Sequence, residues 1–162
     1  HLLDGLHLRA RVDYVGGVCG RWAIDHNSRH AIWFHLLTKG EGWVHSPAWP
    51  APVQVSEGDL VTFMPHAASH YLSGSPDECV FDAPGAAKTS FEDGSTAFVC
   101  AAIELESPSA LLWHLLPAEF LLRRADAGPG LAALIAVIVD EARTQAPAAA
   151  VLIERLCDAF FV

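Results

Sequence analysis

The amino-acid sequence predicts a mainly β domain, built as a sandwich or barrel, that is followed by a C-terminal helical hairpin. Over the first hundred residues, short runs rich in Val, Ile, Phe and Trp alternate with clusters of Gly, Pro, Asn and Ser. This spacing is typical of a β-sandwich or β-barrel. After Pro108 the apolar residues recur at helical spacing instead. A chain of 162 residues with 52% hydrophobic residues is long enough to bury one core, so we expect one domain.

The predicted strands occupy the apolar runs of the β half. We expect them at Val12–Val18, Trp22–Ile24, Ala31–Leu37, Trp43–His45, Val53–Val55, Leu60–Met64, Ser69–Leu72, Cys79–Phe81 and Ala97–Leu105. The segment Asp82–Thr96 consists of residues that favour turns, which predicts a long mobile loop.

Two helices are predicted after the β half. Pro129 suits a first helical turn, and Pro147 begins a second apolar pattern after the short connection Thr144–Ala146. The combined apolar stripe is wider than one barrel face needs, so we expect a homodimer whose interface consists of Leu131, Leu134, Ile135, Ile138, Leu152, Leu156 and Phe160. The pattern is still apolar at Val162, which predicts that the sequence is part of a longer protein.

Charge and cysteine content exclude several function classes. The net charge is −9 with neutral histidines, and the densest basic spot is Arg123–Arg124. Phosphate binding needs clustered cations, so we expect no nucleic-acid binding by this segment itself. The longest apolar run, Leu131–Val139, is nine residues, about half a membrane span, so we expect no membrane insertion. The absence of any CxxC pattern predicts reduced thiols in the cytosol at Cys19, Cys79, Cys100 and Cys157.

Two motifs in the β half have a familiar order and spacing. In HLLTKGEGWVH (residues 35–45) a strand ends in Gly-Glu-Gly. In SEGDLVTFMPHAASHYL (residues 56–72) a Gly-Asp turn starts a strand, Pro65 ends it, and His70 follows five residues later. The sequences FVCAAIEL (98–105) and LLWHLLPAEFLLR (111–123) continue the order into the helical hairpin. Together these motifs resemble the N-terminal cupin domain of AraC-type transcriptional regulators.

The resemblance implies a fold and a function. It implies a cupin double-stranded β-helix barrel over residues 1–107 and a helical dimerisation segment over residues 108–162, both in one domain. It further implies a small-molecule effector or a metal bound in the barrel, a homodimer, and DNA binding only through a C-terminal helix-turn-helix domain that is absent from this chain. No catalytic residue is implied.

The sequence departs from enzymatic cupins at the metal site. Those enzymes carry His-x-His and then a glutamate seven residues before the glycine that matches Gly40. Here the glutamate position falls on Trp33, and no His-x-His precedes it. The usual iron site of three histidines and one carboxylate is therefore broken. A metal-dependent cupin enzyme of the dioxygenase or isomerase type is kept as the alternative function.

A substitute site is predicted inside the barrel. Residues two apart on a strand share a face, so His35 lies on the side of Trp33. His35, His70 and Cys100 are then expected to converge, with His66 at the rim as a fourth candidate. Imidazoles and a thiolate at tetrahedral geometry would favour zinc.

Other interpretations of these residues stay open. His35 and His70 are alternatively hydrogen-bonded core residues and Cys100 a buried small hydrophobe, with the domain a pure dimerisation module. Trp33 is the tryptophan expected to line a ligand pocket. The remaining histidines, including His45, are expected on surfaces or loops.

Overall fold

The computed structural model describes residues 8–19, 23–26, 31–77, 87–105, 115–144, 146 and 148–159. Within these residues it contains ten strands and two helices: β1 Leu8–Cys19, β2 Ala23–His26, β3 Ala31–Lys39, β4 Glu41–His45, β5 Val53–Ser56, β6 Leu60–Phe63, β7 His70–Ser73, β8 Ala87–Thr89, β9 Thr96–Leu105, β10 Glu119–Leu122, α1 Pro129–Thr144 and α2 Ala149–Asp158. A short 3-10 helix, Arg124–Asp126, precedes α1.

The strands form two antiparallel sheets. The larger sheet has the order β10-β6-β3-β9-β1-β8, and the smaller sheet has the order β2-β7-β4-β5. The predicted fold class, a mainly β barrel followed by helices, is thereby confirmed. The predicted strands that fall in the described part of the chain are present with slightly different ends. The expected strand Cys79–Phe81 and residue Trp22 lie outside the described residues.

One predicted loop is partly wrong. β8 lies within the segment expected to be a mobile loop, and it pairs with the end of β1, from Gly17 to Cys19. The turn after β8 also packs closely on β1, because a Cβ atom at Gly17 would stand 2.5 Å from the Ser90 carbonyl oxygen. Because Gly17 has no side chain, the backbone at Ser90 can pack against β1, in a segment where the local pattern predicted only a mobile loop.

β10 extends the barrel beyond the boundary predicted at residue 107. It pairs with β6 from Glu119↔Phe63 to Leu122↔Leu60, so a strand of the larger sheet comes from the segment expected to be helical. The chain then turns towards α1 at the carboxylate of Asp59. This carboxylate accepts hydrogen bonds from Ser56 N at 3.0 Å, Arg123 Nη1 at 2.8 Å and Arg124 N at 2.9 Å.

Two separate layers of buried side chains lie on opposite faces of the larger sheet. The helix layer, between this sheet and the helices, contains Ile32, Phe34 and Leu36 of β3. The barrel interior, between the two sheets, contains Trp33 and Leu37, the neighbours of those residues on the same strand. β9 alternates in the same way, because successive side chains on a strand point to opposite faces.

The apolar stripe of the helices packs mainly against the larger sheet. Ile135 and Ile138 are buried in the helix layer, and Leu131, Leu134 and Leu156 pack against it. Most of the expected dimer interface therefore lies within the domain, because an amphipathic helix first buries its apolar face on its own sheet. Leu152 is exposed, as are Val137 and Val151. Phe160 lies outside the described residues. No helix in the described ranges is long and apolar enough to cross a membrane.

Candidate functional site

His35 lies at the centre of a buried polar cluster in the barrel interior. Its Nδ1 atom is 2.9 Å from Cys100 Sγ, and its Nε2 atom is 2.9 Å from His70 Nε2. His35 and Cys100 face each other across β3 and β9 of the larger sheet, whereas His70 comes from β7 of the smaller one. His35 and Cys100 are 0% exposed and His70 is 3% exposed. We call His35, His70 and Cys100 the His–Cys–His cluster.

The two hydrogen bonds of His35 are linked through its ring. A neutral imidazole has one N–H donor and one bare nitrogen acceptor. If the Cys100 thiol donates to Nδ1, then Nε2–H donates to His70. If His70 donates to Nε2 instead, then Nδ1–H donates to the sulfur. With His35 neutral, the two bonds therefore run in the same direction, and a group that fixes one end also fixes the other.

Aromatic rings surround the cluster. The ring of Phe63 is parallel to that of His70, with an interplanar angle of 2° and 3.4 Å between centroids. Trp33 is stacked with His35 at 6.3 Å, and Trp49 packs beside Phe63 at 6.1 Å. Trp33 thus lies beside the cluster, where we expected it. Phe63 was not among the predicted site residues, although it stands two residues from Val61 on β6 and therefore on the same face.

Tyr14 lies next to the cluster on β1. Its hydroxyl donates to the Gly17 carbonyl at 2.7 Å, and its ring packs on Phe98 at 5.3 Å. Burial raises the pKa of Tyr14, and charge on the Cys100 sulfur raises it further. Tyr14 is therefore a neutral hydrogen-bond donor at the edge of the site.

The cluster does not fit a single tetrahedral zinc ion in this geometry. Two nitrogens bound to one zinc at about 2.0–2.1 Å would stand about 3.3 Å apart, farther than the 2.9 Å between His35 and His70. Cys100 also faces the opposite nitrogen of the His35 ring. Among the residues that the structure describes, no group of three or more His, Cys, Asp or Glu side chains could hold a metal ion. His66, expected at the rim, lies half-buried in the turn after β6.

His45 is a second buried histidine, on the smaller sheet. We expected it on a surface or loop, but it is only 8% exposed. Its Nε2 atom is 2.7 Å from Ser73 Oγ, and its ring is stacked on Tyr71 at 4.1 Å. Because the Ser73 hydroxyl donates to the Ser75 carbonyl at 2.7 Å, His45 is the donor to Ser73. Burial lowers the pKa of His45, and a hydrogen bond with the Ser75 backbone partly offsets this.

A cavity of about 190 Å³ lies outside the barrel, beside α1. Its wall includes apolar residues of the helix layer, and its rim is charged. Arg143 donates to Glu57 at 2.7 Å there, and Arg124 stands 4.0 Å from the same carboxylate. These three rim charges pair with one another.

Two antiparallel sheets enclosing a polar cluster define the class of this domain as a small β-barrel with a buried internal site. A family model described as Cupin matches residues 1–162. The chain therefore belongs to the cupin family.

Several solved structures match this chain at low sequence identity and low structural similarity. YhaK from Escherichia coli is 12% identical with a TM-score of 0.37, covering 74% of this chain and 42% of its own. ToxT from Vibrio cholerae O395 is 9% identical with a TM-score of 0.44, covering 98% and 53%. ToxT bound to (E)-4-(8-methylnaphthalen-1-yl)but-3-enoic acid is 10% identical with a TM-score of 0.46, covering 95% and 55%. This chain thus spans 42–55% of the length of these solved chains. A search of curated proteins finds no match.

Proposed function

We propose that this chain is the ligand-sensing and dimerisation domain of an AraC-type transcriptional regulator. The observation that carries the proposal is the His–Cys–His cluster at the centre of the barrel. Replacing both partners of a buried hydrogen bond by apolar groups of the same shape can be nearly neutral or stabilising, so an apolar filling would hold the two sheets together equally well. Polar groups in the interior of a cupin barrel are therefore better explained by recognition of a small molecule than by stability.

The sequence motifs support a sensing domain rather than an oxygenase. The order of motifs from residue 35 to the helical hairpin resembles AraC-type regulators, and cupin membership extends over the whole chain. Trp33 occupies the position of the metal-binding glutamate, and both ring nitrogens of His35 already have partners. The chain thus buries polar groups in the barrel interior without the ligand set that oxygen chemistry requires.

The geometry suggests how a bound effector would act on the helices. A ligand that hydrogen-bonds to His70 or Cys100 would fix the direction of both bonds of His35. His35 shares β3 with Phe34, whose side chain packs in the helix layer on the other face of the sheet. A shift of β3 would therefore change how α1 and α2 pack on the larger sheet. Regulation follows only if the effector binds the two arrangements with different affinity.

The coding sequence that follows Val162 provides a direct test. We expect it to encode two helix-turn-helix motifs, and we expect an effector found by thermal-shift screening to change DNA binding by that longer protein. His70→Leu should remove the response to the effector and preserve DNA binding without it. The proposal fails if no DNA-binding domain follows, or if DNA binding does not depend on any molecule that stabilises the barrel.

The isolated chain should bind no DNA in a salt-dependent way, because it carries −9 charges and no basic stripe. A mobility shift at low salt that disappears at high salt would contradict this. A cytoplasmic location without membrane attachment belongs to the same proposal.

Homodimerisation is the second part of the proposal. The surface that remains for it on the helices includes Val137, Val151 and Leu152, which are exposed apolar residues. Val151→Glu with Leu152→Glu should convert a dimer to a folded monomer in sedimentation experiments. Leu115→Glu, at an apolar residue that is 79% exposed outside the helices, is the matched control. A wild-type chain that is monomeric at tens of micromolar would contradict the prediction.

A metal-dependent cupin enzyme is the alternative function, and zinc is the metal that the cluster would favour if His35 released one partner. Elemental analysis of the purified protein, before and after zinc loading, together with an activity screen, separates the two functions. Bound metal that disappears in both His35→Ala and His70→Ala would favour the alternative.

A further inference from the structure

Glu119 is a carboxylate with one hydrogen-bonded oxygen and one unpaired oxygen. Its Oε1 atom accepts a hydrogen bond from Ser46 Oγ at 2.6 Å. Its Oε2 atom is buried and has no hydrogen-bond partner within the described residues. None of the ion pairs between described residues includes Glu119.

The position of Glu119 places it at one end of the barrel interior. It pairs with Phe63 across β10 and β6, and Phe63 in turn pairs with Trp33 across β6 and β3. Directly opposed residues share a face of the sheet, so the three side chains form a row on the inner face. Leu121 lies two residues after Glu119 on β10 and packs in the barrel interior, as expected for residues that share a face of a strand. Ser46 follows β4 of the smaller sheet, so its bond to Glu119 joins the two sheets.

A structural role does not explain the charge of this side chain. The bond from Ser46 needs only one acceptor oxygen, which an uncharged glutamine would also provide. A buried carboxylate oxygen without a donor costs free energy, and more so when it is ionised. Since the described part of the chain supplies no donor, we infer that the donor comes from a bound molecule.

The surroundings of Glu119 indicate the chemistry of that molecule. The row continues to Phe63 and Trp33 on the neighbouring strands, and Trp49 packs on Phe63 from the turn after Ser46. Aromatic faces attract cations and bury apolar groups, while a carboxylate binds a cationic donor through charge-assisted hydrogen bonds. We propose that Glu119 recognises the ammonium group of a small amine whose apolar body packs against Phe63, Trp33 and Trp49. This inference rests on the proposed sensing function and adds the class of effector to it.

Three probes of nearly equal size test the class: 2-phenylethylammonium, 2-phenylethanol and phenylacetate. Binding to the 162-residue chain is measured by tryptophan fluorescence and calorimetry. We expect the ammonium to bind about tenfold or more tightly than the alcohol, which is the scale of one charge-assisted hydrogen bond, and phenylacetate to bind most weakly.

Variants of the chain assign this preference to Glu119. Glu119→Gln should abolish the advantage of the ammonium over the alcohol, and Ser46→Ala should reduce it. Glu104→Gln is the matched control, because Glu104 is an exposed glutamate on β9 of the same sheet. It should leave all three affinities unchanged.

The stability of the ligand-free variants separates recognition from a structural role. If Oε2 receives its donor only from a ligand, Glu119→Gln should unfold at the same temperature as the wild type or at a higher one, because it removes a charge whose Oε2 atom is buried without a donor. A structural carboxylate would instead produce a clear fall in melting temperature.

The possible outcomes distinguish this inference from the function on which it rests. The amine proposal is overturned if Glu119→Gln binds the ammonium as tightly as the wild type does, or if phenylacetate binds best. Either result is compatible with a barrel that senses another molecule. Absence of binding by all three probes at millimolar concentration also overturns the amine proposal. The sensing function itself is judged by the DNA-binding test on the longer protein.

Discussion

The barrel interior and the helix layer are built from alternate residues of the same strands, but their chemistry differs. Phe34 and His35 are neighbours on β3 and are both 0% exposed, yet Phe34 lies among apolar side chains and His35 lies between Cys100 and His70. The helix layer is mainly hydrophobic, and the buried polar side chain of Thr62 lies opposite Phe34 on that face. The difference is that the interior face of the larger sheet buries a hydrogen-bonded polar cluster among its apolar residues, whereas the helix-layer face does not.

Two cysteines show the same difference for one residue type. Cys100 and Cys157 are both 0% exposed. Cys100 contacts His35 Nδ1, whereas burial among the helices, followed by the charges of Asp158 and Glu154, raises the pKa of Cys157 to about 12. Cys157 is therefore a small hydrophobic residue in practice, and Cys100 belongs to a hydrogen-bonded chain.

The largest effect is expected from a cavity in the helix layer. Phe34→Ala should lower the free energy of unfolding by about 3–5 kcal/mol, because it removes a fully buried ring from an apolar layer. Urea denaturation measures the change. A loss below about 1 kcal/mol would show that the helices are not essential to the stability of the barrel.

The cluster in the barrel interior should respond differently. His35→Leu should lower the free energy of unfolding by about 1–3 kcal/mol, because it deprives His70 Nε2 and Cys100 Sγ of this partner. Adding His70→Leu should cost less than the sum of the two single changes, since it also removes a polar group left behind. Strict additivity in this double-mutant cycle would contradict the linked hydrogen bonds.

The cysteines offer a smaller and better matched comparison. Cys100→Val should lower the free energy of unfolding by about 0.5–1.5 kcal/mol, the usual net value of a hydrogen bond. Cys157→Val keeps a similar volume in an apolar site and should change stability less. Equal effects of the two substitutions would mean that the contact between Cys100 and His35 has no energetic value.

The smallest effect concerns His45 and pH. Its pKa in the folded protein lies below the ordinary value of 6.5, chiefly because it is buried. Well above pH 6.5 the histidine is neutral in both states. As the pH falls below 6.5, the unfolded chain binds a proton first, so stability decreases until the pH passes the folded pKa. His45→Gln should flatten this part of the profile of unfolding free energy against pH. The profile is measured from about pH 8 to about pH 5, the range in which histidine titrates. If His45→Gln left the profile unchanged, the loss of stability at low pH would not come from His45.

Local patterns predicted most of the strands and both helices. The approach of His35, His70 and Cys100 was expected from the cupin resemblance together with the alternation of side chains along a strand. Local patterns did not predict β10 or β8, which are short edge strands that depend on partners distant in the sequence. Phe63 and Glu119 were not predicted for the same reason: the row from Trp33 through Phe63 to Glu119 depends on registers across three strands. Which nitrogen of His35 faces which partner depends on side-chain geometry that spacing does not encode.

Asp59 has a mechanical consequence for the whole domain. Its carboxylate holds the β5–β6 turn, Arg123 and the Arg124 backbone at one point, and the Arg124 side chain lies over Gly58, where a Cβ atom would stand 2.6 Å from Arg124 Cδ. The chain leaves the barrel at this point on its way to α1. Hydrogen bonds therefore fix the connection between β10 and α1 to the β5–β6 turn, and β6, which carries Phe63 against His70, starts at this turn.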